Sequence, residues 1–218
     1  LKECLETHGF KALWKRESGN YRLQINQGDL NNISLGALDH HFYPLLETLE
    51  AECFDLPETS FQRFCSILGR SDKLSSLTYT NHESSDFQAD YFCPSLSALK
   101  NLETLRMILK TEDISQDQFY DLWVTISHLP KLGNLKIDVN YNSNQRNNQE
   151  ITQEKPFGDF KTLKQVDLSF VKSEFNPGDN LAYLWTSLQK SQSLYKLRLD
   201  SDDCYQSFRN IFTTFIEN

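Results

Sequence analysis

Five histidines and five cysteines are of residue types that can take part in catalysis or bind metal, but their spacing forms no catalytic motif. No GxSxG, P-loop, HExxH or GxGxxG pattern occurs. Cys4 and His8 lie four residues apart, which would place two metal ligands on one helical face. We favour the alternative, an incidental pair in a partly apolar segment. We predict no catalytic residue, metal site, cofactor or small-molecule substrate, and we predict that the chain is not an enzyme.

The cysteines are odd in number and contain no CxxC pair, which disfavours a disulfide framework and a zinc cage. Several of them, such as Cys53 and Cys65, fall where apolar residues are expected. We therefore predict that they pack in the core. Unpaired thiols fit a reducing compartment, so we expect an intracellular, cytoplasmic protein.

The charge balance limits the kinds of partner. There are 22 Lys and Arg residues against 30 Asp and Glu, a formal net charge of −8. Binding to nucleic acid or to anionic lipid depends on cationic side chains, so we predict that neither a nucleic acid nor a membrane is a direct partner. No apolar run is long enough to span a bilayer. The sequence opens on Leu1, and one interpretation is that it is a fragment of a longer protein.

One block of the form L-x-x-L-x-Φ, where Φ is apolar, recurs along the chain. Two clear examples are Leu46-Glu-Thr-Leu49-Glu-Ala51 and Leu102-Glu-Thr-Leu105-Arg-Met107. The leading leucines are separated by 28, 28, 30, 31 and 31 residues and lie at positions 46, 74, 102, 132, 163 and 194. A weaker block begins at Asn20. The alternation predicts a strand with one buried face, and the near-constant period predicts stacked units.

A second position follows the same period, six residues before each leading leucine. It is apolar in all blocks but the first and is occupied by His40, Leu68, Leu96, Ile126, Phe157 and Leu188. The blocks and this second position resemble the leucine-rich-repeat family, and the period is similar to that of its ribonuclease-inhibitor-like branch. The resemblance covers roughly residues 20–200. In that family an Asn usually follows the strand, and Asn140 is the clear example of it here.

The resemblance implies an α/β fold, a leucine-rich-repeat solenoid in which a curved parallel sheet carries helices on its convex side. It implies about seven repeats in a single domain, residues 1–218. Apolar residues at i, i+3, i+4 and i+7 predict helices between the blocks. These stripes are Phe61, Phe64, Cys65 and Leu68, ended by Gly69; Phe119, Leu122, Trp123 and Ile126, after a Ser115 and Gln118 capping signature; and Leu181, Leu184, Trp185 and Leu188.

Three further segments have their own predictions. Pro94–Leu99 and Phe157–Leu163 have room for only a turn or one helical twist. A terminal helix is predicted over residues 203–217, where Tyr205, Phe208 and Phe212 form an apolar stripe. The polar stretch of residues 141–155 is predicted to be a mobile loop.

The resemblance implies that the concave face of the strands binds another protein, which would make the chain a scaffold or a part of a larger complex. The candidate partner-binding residues, at outward strand positions and just beyond, are Glu50, Glu52, Arg106, Ile108, Lys110, Lys136, Asp138, Asp167, Lys196 and Arg198. One hypothesis is that the later, more basic positions steer an acidic partner. The alternative, which we favour, is that these charges are solvated and compensate one another along the strands.

Other functions for such repeats stay open. Leu56-Pro57-Glu58 followed by Phe61 resembles the opening of an F-box, although the repeat explains the same residues. The chain could therefore be the substrate-recognition part of a ubiquitin-ligase adaptor, which a longer sequence would reveal. It could instead be a GTPase-regulating leucine-rich-repeat protein, which an assay of GTP hydrolysis would reveal. A further alternative is an enzyme whose catalytic domain lies outside this sequence.

Overall fold

The computed structural model describes residues 15–17, 20–25, 46–53, 58–81, 88–109, 116–140, 158–171 and 187–201. These residues form an α/β structure built on one eight-stranded sheet, whose strands follow one another in chain order. The strands are β1 Lys15–Glu17, β2 Asn20–Ile25, β3 Thr48–Cys53, β4 Ser76–Asn81, β5 Thr104–Leu109, β6 Asn134–Asn140, β7 Gln165–Val171 and β8 Lys196–Ser201. The helices are α1 Glu58–Gly69, α2 Ala89–Ser97 and α3 Gln116–Ser127. The predicted α/β class is confirmed for this part of the chain, and the predicted parallel pairing holds from β2 to β8.

The register of the sheet follows the spacing of the sequence blocks. β1 pairs with β2 in the antiparallel sense, and every later pair up to β7 and β8 is parallel. The second apolar position of each block stands opposite its counterpart on the next strand, in the order Leu49, Leu77, Leu105, Leu135, Val166 and Leu197. A one-residue slip would turn every side chain of a strand to the other face, so the alternation and the register depend on each other.

A second set of hydrogen bonds joins the units just before each strand. In each case one backbone carbonyl accepts two successive N–H groups from the next unit at 2.7–3.3 Å. The carbonyl of Glu47 accepts from Ser75 and Ser76, and that of Ser75 accepts from Glu103 and Thr104. The same bond continues with the carbonyls of Glu103, Gly133 and Lys164. The turns that enter the strands are therefore stacked in the same way as the strands themselves.

The core lies between the inner face of the sheet and the helices. The inward strand residues Leu77 and Met107 are fully buried, as are helix residues such as Phe64. Tyr79 of β4 meets Phe92 of α2 with ring centroids 4.9 Å apart and Phe64 of α1 with centroids 5.9 Å apart. The second periodic position is buried wherever the side chain is described, at Leu68, Leu96, Ile126 and Leu188. His40 and Phe157 lie outside the described residues.

Two of the predicted helices are confirmed. α1 ends at Gly69 and buries Phe61, Phe64, Cys65 and Leu68; α3 buries Phe119, Leu122, Trp123 and Ile126. Residues 187–189 are helical, but Leu181, Leu184 and Trp185 lie outside the described residues. So do Ser115, the polar stretch 141–155 and the predicted terminal helix over 203–217.

The prediction of only a turn or one helical twist for Pro94–Leu99 was wrong. α2 spans nine residues and contains Pro94. The helix begins at Ala89, and its buried residues Ala89, Phe92, Cys93 and Leu96 have the spacing of an amphipathic helix. Proline removes one helical hydrogen bond, but the burial of this stripe outweighs that loss.

The other short segment does contain a turn. Residues 158–164 hold no helix, and residues 161 and 162 form a turn into β7. Phe160 is buried and has a φ of 43°, in the left-handed region that few non-glycine residues adopt. The backbone N–H of Gly158 donates to Ser127 Oγ at 2.8 Å, directly at the end of α3. A Cβ at Gly158 would lie 2.9 Å from the carbonyl carbon of Ser127.

No helix among the described residues has both the length and the apolar character that crossing a membrane would need.

The contact at Gly158 predicts a destabilising substitution. Gly158→Ala should lower the free energy of unfolding by about 1–3 kcal/mol, because the backbone of Ser127 cannot move aside without shifting α3. Gly133→Ala is the matched control, since its added Cβ would have no neighbour closer than 3.8 Å. Urea unfolding followed by circular dichroism measures both. Equal stability of the two variants would contradict the close approach.

Candidate partner-binding surface

The outward side chains of the sheet form rows that run across the strands. The central row contains the middle outward residue of each strand, and the register places Arg106 beside Lys136, Lys136 beside Asp167, and Asp167 beside Arg198. Thr78 and Glu50 continue this row toward β3. Neighbouring members are separated by about 4.8 Å, the distance between paired strands. The structure therefore brings four of the predicted binding residues side by side.

A second row lies two residues further along each strand. It contains Ile108, Asp138 and Asp200, whose strands are paired through β5 to β8. Ile108 is half-buried, and Thr80, its neighbour on β4, is only 6% exposed. Glu52 belongs to the same row on β3, but the structure does not describe its side chain. Lys110 lies outside the described residues. This row therefore carries no charge at β4 and β5, and it is more buried at β4 than at β6 to β8.

Ion pairs connect the charges of the two rows. Lys136 Nζ lies 3.5 Å from Asp138 Oδ2 and 3.9 Å from Asp167 Oδ2. Arg198 Nε lies 4.0 Å from Asp167 Oδ1, and Arg198 Nη2 lies 3.7 Å from Asp200 Oδ2. Asp167 thus stands between two cations. Lys136 and Arg198 have their charges compensated within the sheet, as the second of the two hypotheses expects.

Two cations of the candidate set differ from this pattern. Arg106 and Lys196 are exposed, and neither forms an ion pair with another residue that the structure describes. Arg106 has Thr78 on one side and Lys136 on the other. Lys196 begins β8 and pairs in register with Gln165. Their charges remain available to an anionic group.

The sequence reasoning missed Tyr195, a large side chain that is 70% exposed. Gln165 Nε2 donates a hydrogen bond to its hydroxyl oxygen. Tyr195 directly follows the leading leucine of its block, in the position held by Glu47, Ser75, Glu103, Gly133 and Lys164 in the other blocks. Among the six blocks that lead with a leucine, no other block has an aromatic residue there, and this contrast is the sequence signal that could have found it.

The described residues show little arrangement for reaction chemistry. They contain no group of three or more His, Cys, Asp or Glu that could hold a metal ion. Ser127 Oγ lies 3.2 Å from His128 Nδ1, but it donates to the carbonyl of Val124 at 2.7 Å and accepts from Gly158. His128 Nδ1 is also 2.8 Å from the carbonyl of Val124. These contacts close the end of α3, and neither atom is directed at an open site.

The cysteines that the structure describes in full behave as the sequence predicts. Cys65 and Cys93 are buried, and neither is in a disulfide. The Cys4 and His8 pair lies outside the described residues.

On the helical side of the sheet, one tyrosine has an unusual electrostatic environment. Tyr91 of α2 donates its hydroxyl to Glu58 Oε1 at 3.1 Å, and Gln62 Nε2 donates to the same oxygen at 3.0 Å. The hydrogen bond to the Glu58 carboxylate, with the charge of that carboxylate, raises the pKa of Tyr91.

No known protein family matches this sequence, and no curated protein matches it significantly.

The ion pairs predict a small but salt-dependent effect at Asp167. Asp167→Asn removes the carboxylate that Lys136 and Arg198 share, and the free energy of unfolding should fall by no more than about 1 kcal/mol, because these side chains are solvated. At about 1 M salt the difference from the wild type should shrink further. Urea unfolding at two salt concentrations tests both statements. A loss that salt leaves unchanged would mean that Asp167 acts through packing and not through its charge.

The Tyr91 contact predicts a titration shift. In Glu58→Gln the pKa of Tyr91 should fall toward its ordinary value, because the neutral amide does not disfavour the phenolate. The raised pKa of the folded state implies stability that is present below the ordinary tyrosine pKa and is lost as the pH rises through the folded value. NMR of ¹³Cζ-labelled tyrosine measures the pKa, and Gln62→Ala is the control that keeps the carboxylate. An unchanged Tyr91 titration in Glu58→Gln would contradict the assignment.

Proposed function

We propose that this chain is a leucine-rich-repeat solenoid of about seven repeats, similar to the ribonuclease-inhibitor-like branch, and that it binds another protein through the outward face of its strands. The observation that supports this most strongly is the open outward face of a parallel sheet, on which charged residues stand side by side in register. We assign the chain no catalytic activity, cofactor or small-molecule substrate.

The solenoid proposal is supported by two independent periodic features. The parallel register joins equivalent positions of successive blocks, which are 28 to 31 residues apart. The carbonyl that accepts two N–H groups recurs at the same place in each described unit. Units of this kind cannot bury their inward residues alone, so each depends on its neighbours.

The choice of surface is supported by the difference between the two faces of the sheet. Parallel sheets are usually covered on both faces. Here α1 and α2 cover the inner face, through contacts such as that of Phe64 with Tyr79. On the outer face Arg106 and Arg198 are exposed, and Lys136 and Asp167 are half-exposed. An outer sheet face with exposed charged side chains provides a rigid, charged surface for a partner protein.

The cellular location and the kind of partner are proposed from the buried cysteines and from the net charge. The buried cysteines Cys65 and Cys93, which are not in disulfides, support an intracellular, cytoplasmic location. The net charge of −8 favours a protein over nucleic acid or membrane as the direct partner. The chain would then be a scaffold or recognition subunit within a larger complex.

The test is a triple charge reversal on the outward face. Arg106→Glu, Lys136→Glu and Arg198→Glu together should abolish capture of a partner that the wild-type chain retains, identified by mass spectrometry and then reconstituted from purified proteins. The dissociation constant should rise at least about tenfold, the size of effect that close charge pairs at interfaces produce. Unchanged binding would overturn the proposal for this face.

Two controls make the result specific. Arg63, Lys73 and Lys100 are exposed cations outside the outward rows, and their reversal to Glu changes the net charge equally while binding should persist. Lys136→Glu places a new carboxylate beside Asp138 and Asp167 and could destabilise the fold. A parallel series with Gln at the three outward positions removes the charge without that repulsion, and it should weaken binding in the same direction.

A further inference from the structure

The turns that lead into β6, β7 and β8 lie against one another at the end of the sheet where these strands begin. Thr162 Oγ1 donates to the carbonyl of Leu132 at 2.9 Å, and Ser193 Oγ donates to the carbonyl of Lys161 at 3.0 Å. The backbone N–H of Lys164 donates to the carbonyl of Gly133 at 2.7 Å. Residues 128–133, 158–164 and 190–196 therefore form one continuous surface.

This surface is strongly basic although the protein is acidic. The three segments contain five lysines and a single carboxylate, that of Asp159, and all five lysines are exposed. We call these lysines, Lys131, Lys161, Lys164, Lys190 and Lys196, the lysine edge. The two preceding turns are more balanced, because the cations Arg70, Lys73 and Lys100 lie there with the carboxylates of Asp72 and Glu103. The large excess of positive charge begins at Lys131.

Little of this charge is compensated within the described part of the chain. Lys161 Nζ lies 3.8 Å from Asp159 Oδ2, and this is the single ion pair of the lysine edge among the residues described. Lys131 Nζ donates to Asn101 Oδ1 at 2.7 Å, but that acceptor is a neutral amide and leaves the charge in place. The outward strand face is different, since Lys136 and Arg198 are paired there with aspartates. The structure thus concentrates uncompensated cations at the turns.

Tyr195 lies within this surface, next to Lys196 in sequence and hydrogen-bonded to Gln165 at the start of β7. Tyr195 is 70% exposed, and tyrosines at interfaces often contribute much of the binding energy. Its ring offers an apolar contact between charged neighbours. The surface therefore combines electrostatic attraction with one aromatic anchor.

We propose that the lysine edge and Tyr195 bind a short acidic segment of a partner protein. The proposal rests on the proposed function in that it requires a protein partner, but it places the anionic contact at the turns and not on the strand face. The three turns span two strand spacings, about 10 Å, which an extended chain covers with about three or four residues. A nucleic acid would need a longer basic track, and the net charge of −8 would repel it.

The experiment measures binding of a fluorescein-labelled hexaglutamate peptide to the full chain by fluorescence anisotropy at low salt. The wild type should bind the peptide. A variant with Lys131→Gln, Lys164→Gln and Lys190→Gln should bind it at least tenfold more weakly, and Tyr195→Ser should weaken the binding of a glutamate peptide that carries a central Phe. The charge-matched control, Arg63→Gln, Lys73→Gln and Lys100→Gln, should change the dissociation constant less than twofold.

Four other outcomes would overturn the proposal. Equal weakening by the control variant would show only a general charge effect, and no binding of the peptide to the wild type would remove the site. Tighter binding of a labelled oligothymidylate, lost in the same lysine variant, would assign the surface to nucleic acid. Capture of the natural partner distinguishes failure of this proposal from failure of the proposed function. If capture survives in the lysine variant but is lost in the strand-face variant, only the proposal for the lysine edge is overturned. Loss of capture in the lysine variant, with the peptide result, supports it.

Discussion

The structure depends most on the carbonyl group that joins each unit to the next just before the strand. By accepting two N–H groups from the following unit, this carbonyl sets where the next strand begins. The parallel register follows from that starting point, and with it the burial of residues such as Leu105 and Leu135 on the inner face. Buried backbone polar groups need partners, so a unit that shifted by one residue would lose these bonds and its apolar contacts together.

The same constraint explains why charge is distributed as it is. Because the register is maintained over β5 to β8, the outward residue of one strand always meets the equivalent residue of the next. Lys136 and Arg198 therefore stand beside Asp167, and their charges are compensated within the sheet. The turns carry their lysines where the strands begin, and among the residues described Asp159 is the one carboxylate that pairs with a lysine there. The same repeated geometry thus produces a strand face with partly compensated charges and a basic lysine edge.

Much of the fold was predictable because the apolar period is strong and local. The stripe of α3 and the end of α1 at Gly69 required only the spacing of side chains on a helix. The length of α2 was not predicted, because α2 contains Pro94 and proline is normally disfavoured inside a helix. Helix propensity is a weak preference, and burial of Phe92 and Leu96 against the sheet overrides it. The candidate surface was predicted as a set of positions whose charges partly compensate one another, but which residues form ion pairs was not predicted.

The sequence by itself determined the phase of the blocks, the alternation of buried and outward residues, and hence which residues of β5 to β8 share a face. These properties are local, because they depend on periods of two and of 3.6 residues. Only the tertiary structure decided which charges are compensated and which remain free, and that Tyr195 is exposed beside Gln165. The reason is that pairing depends on distances of a few ångströms between residues about 30 positions apart. Such distances exist only after the units have stacked.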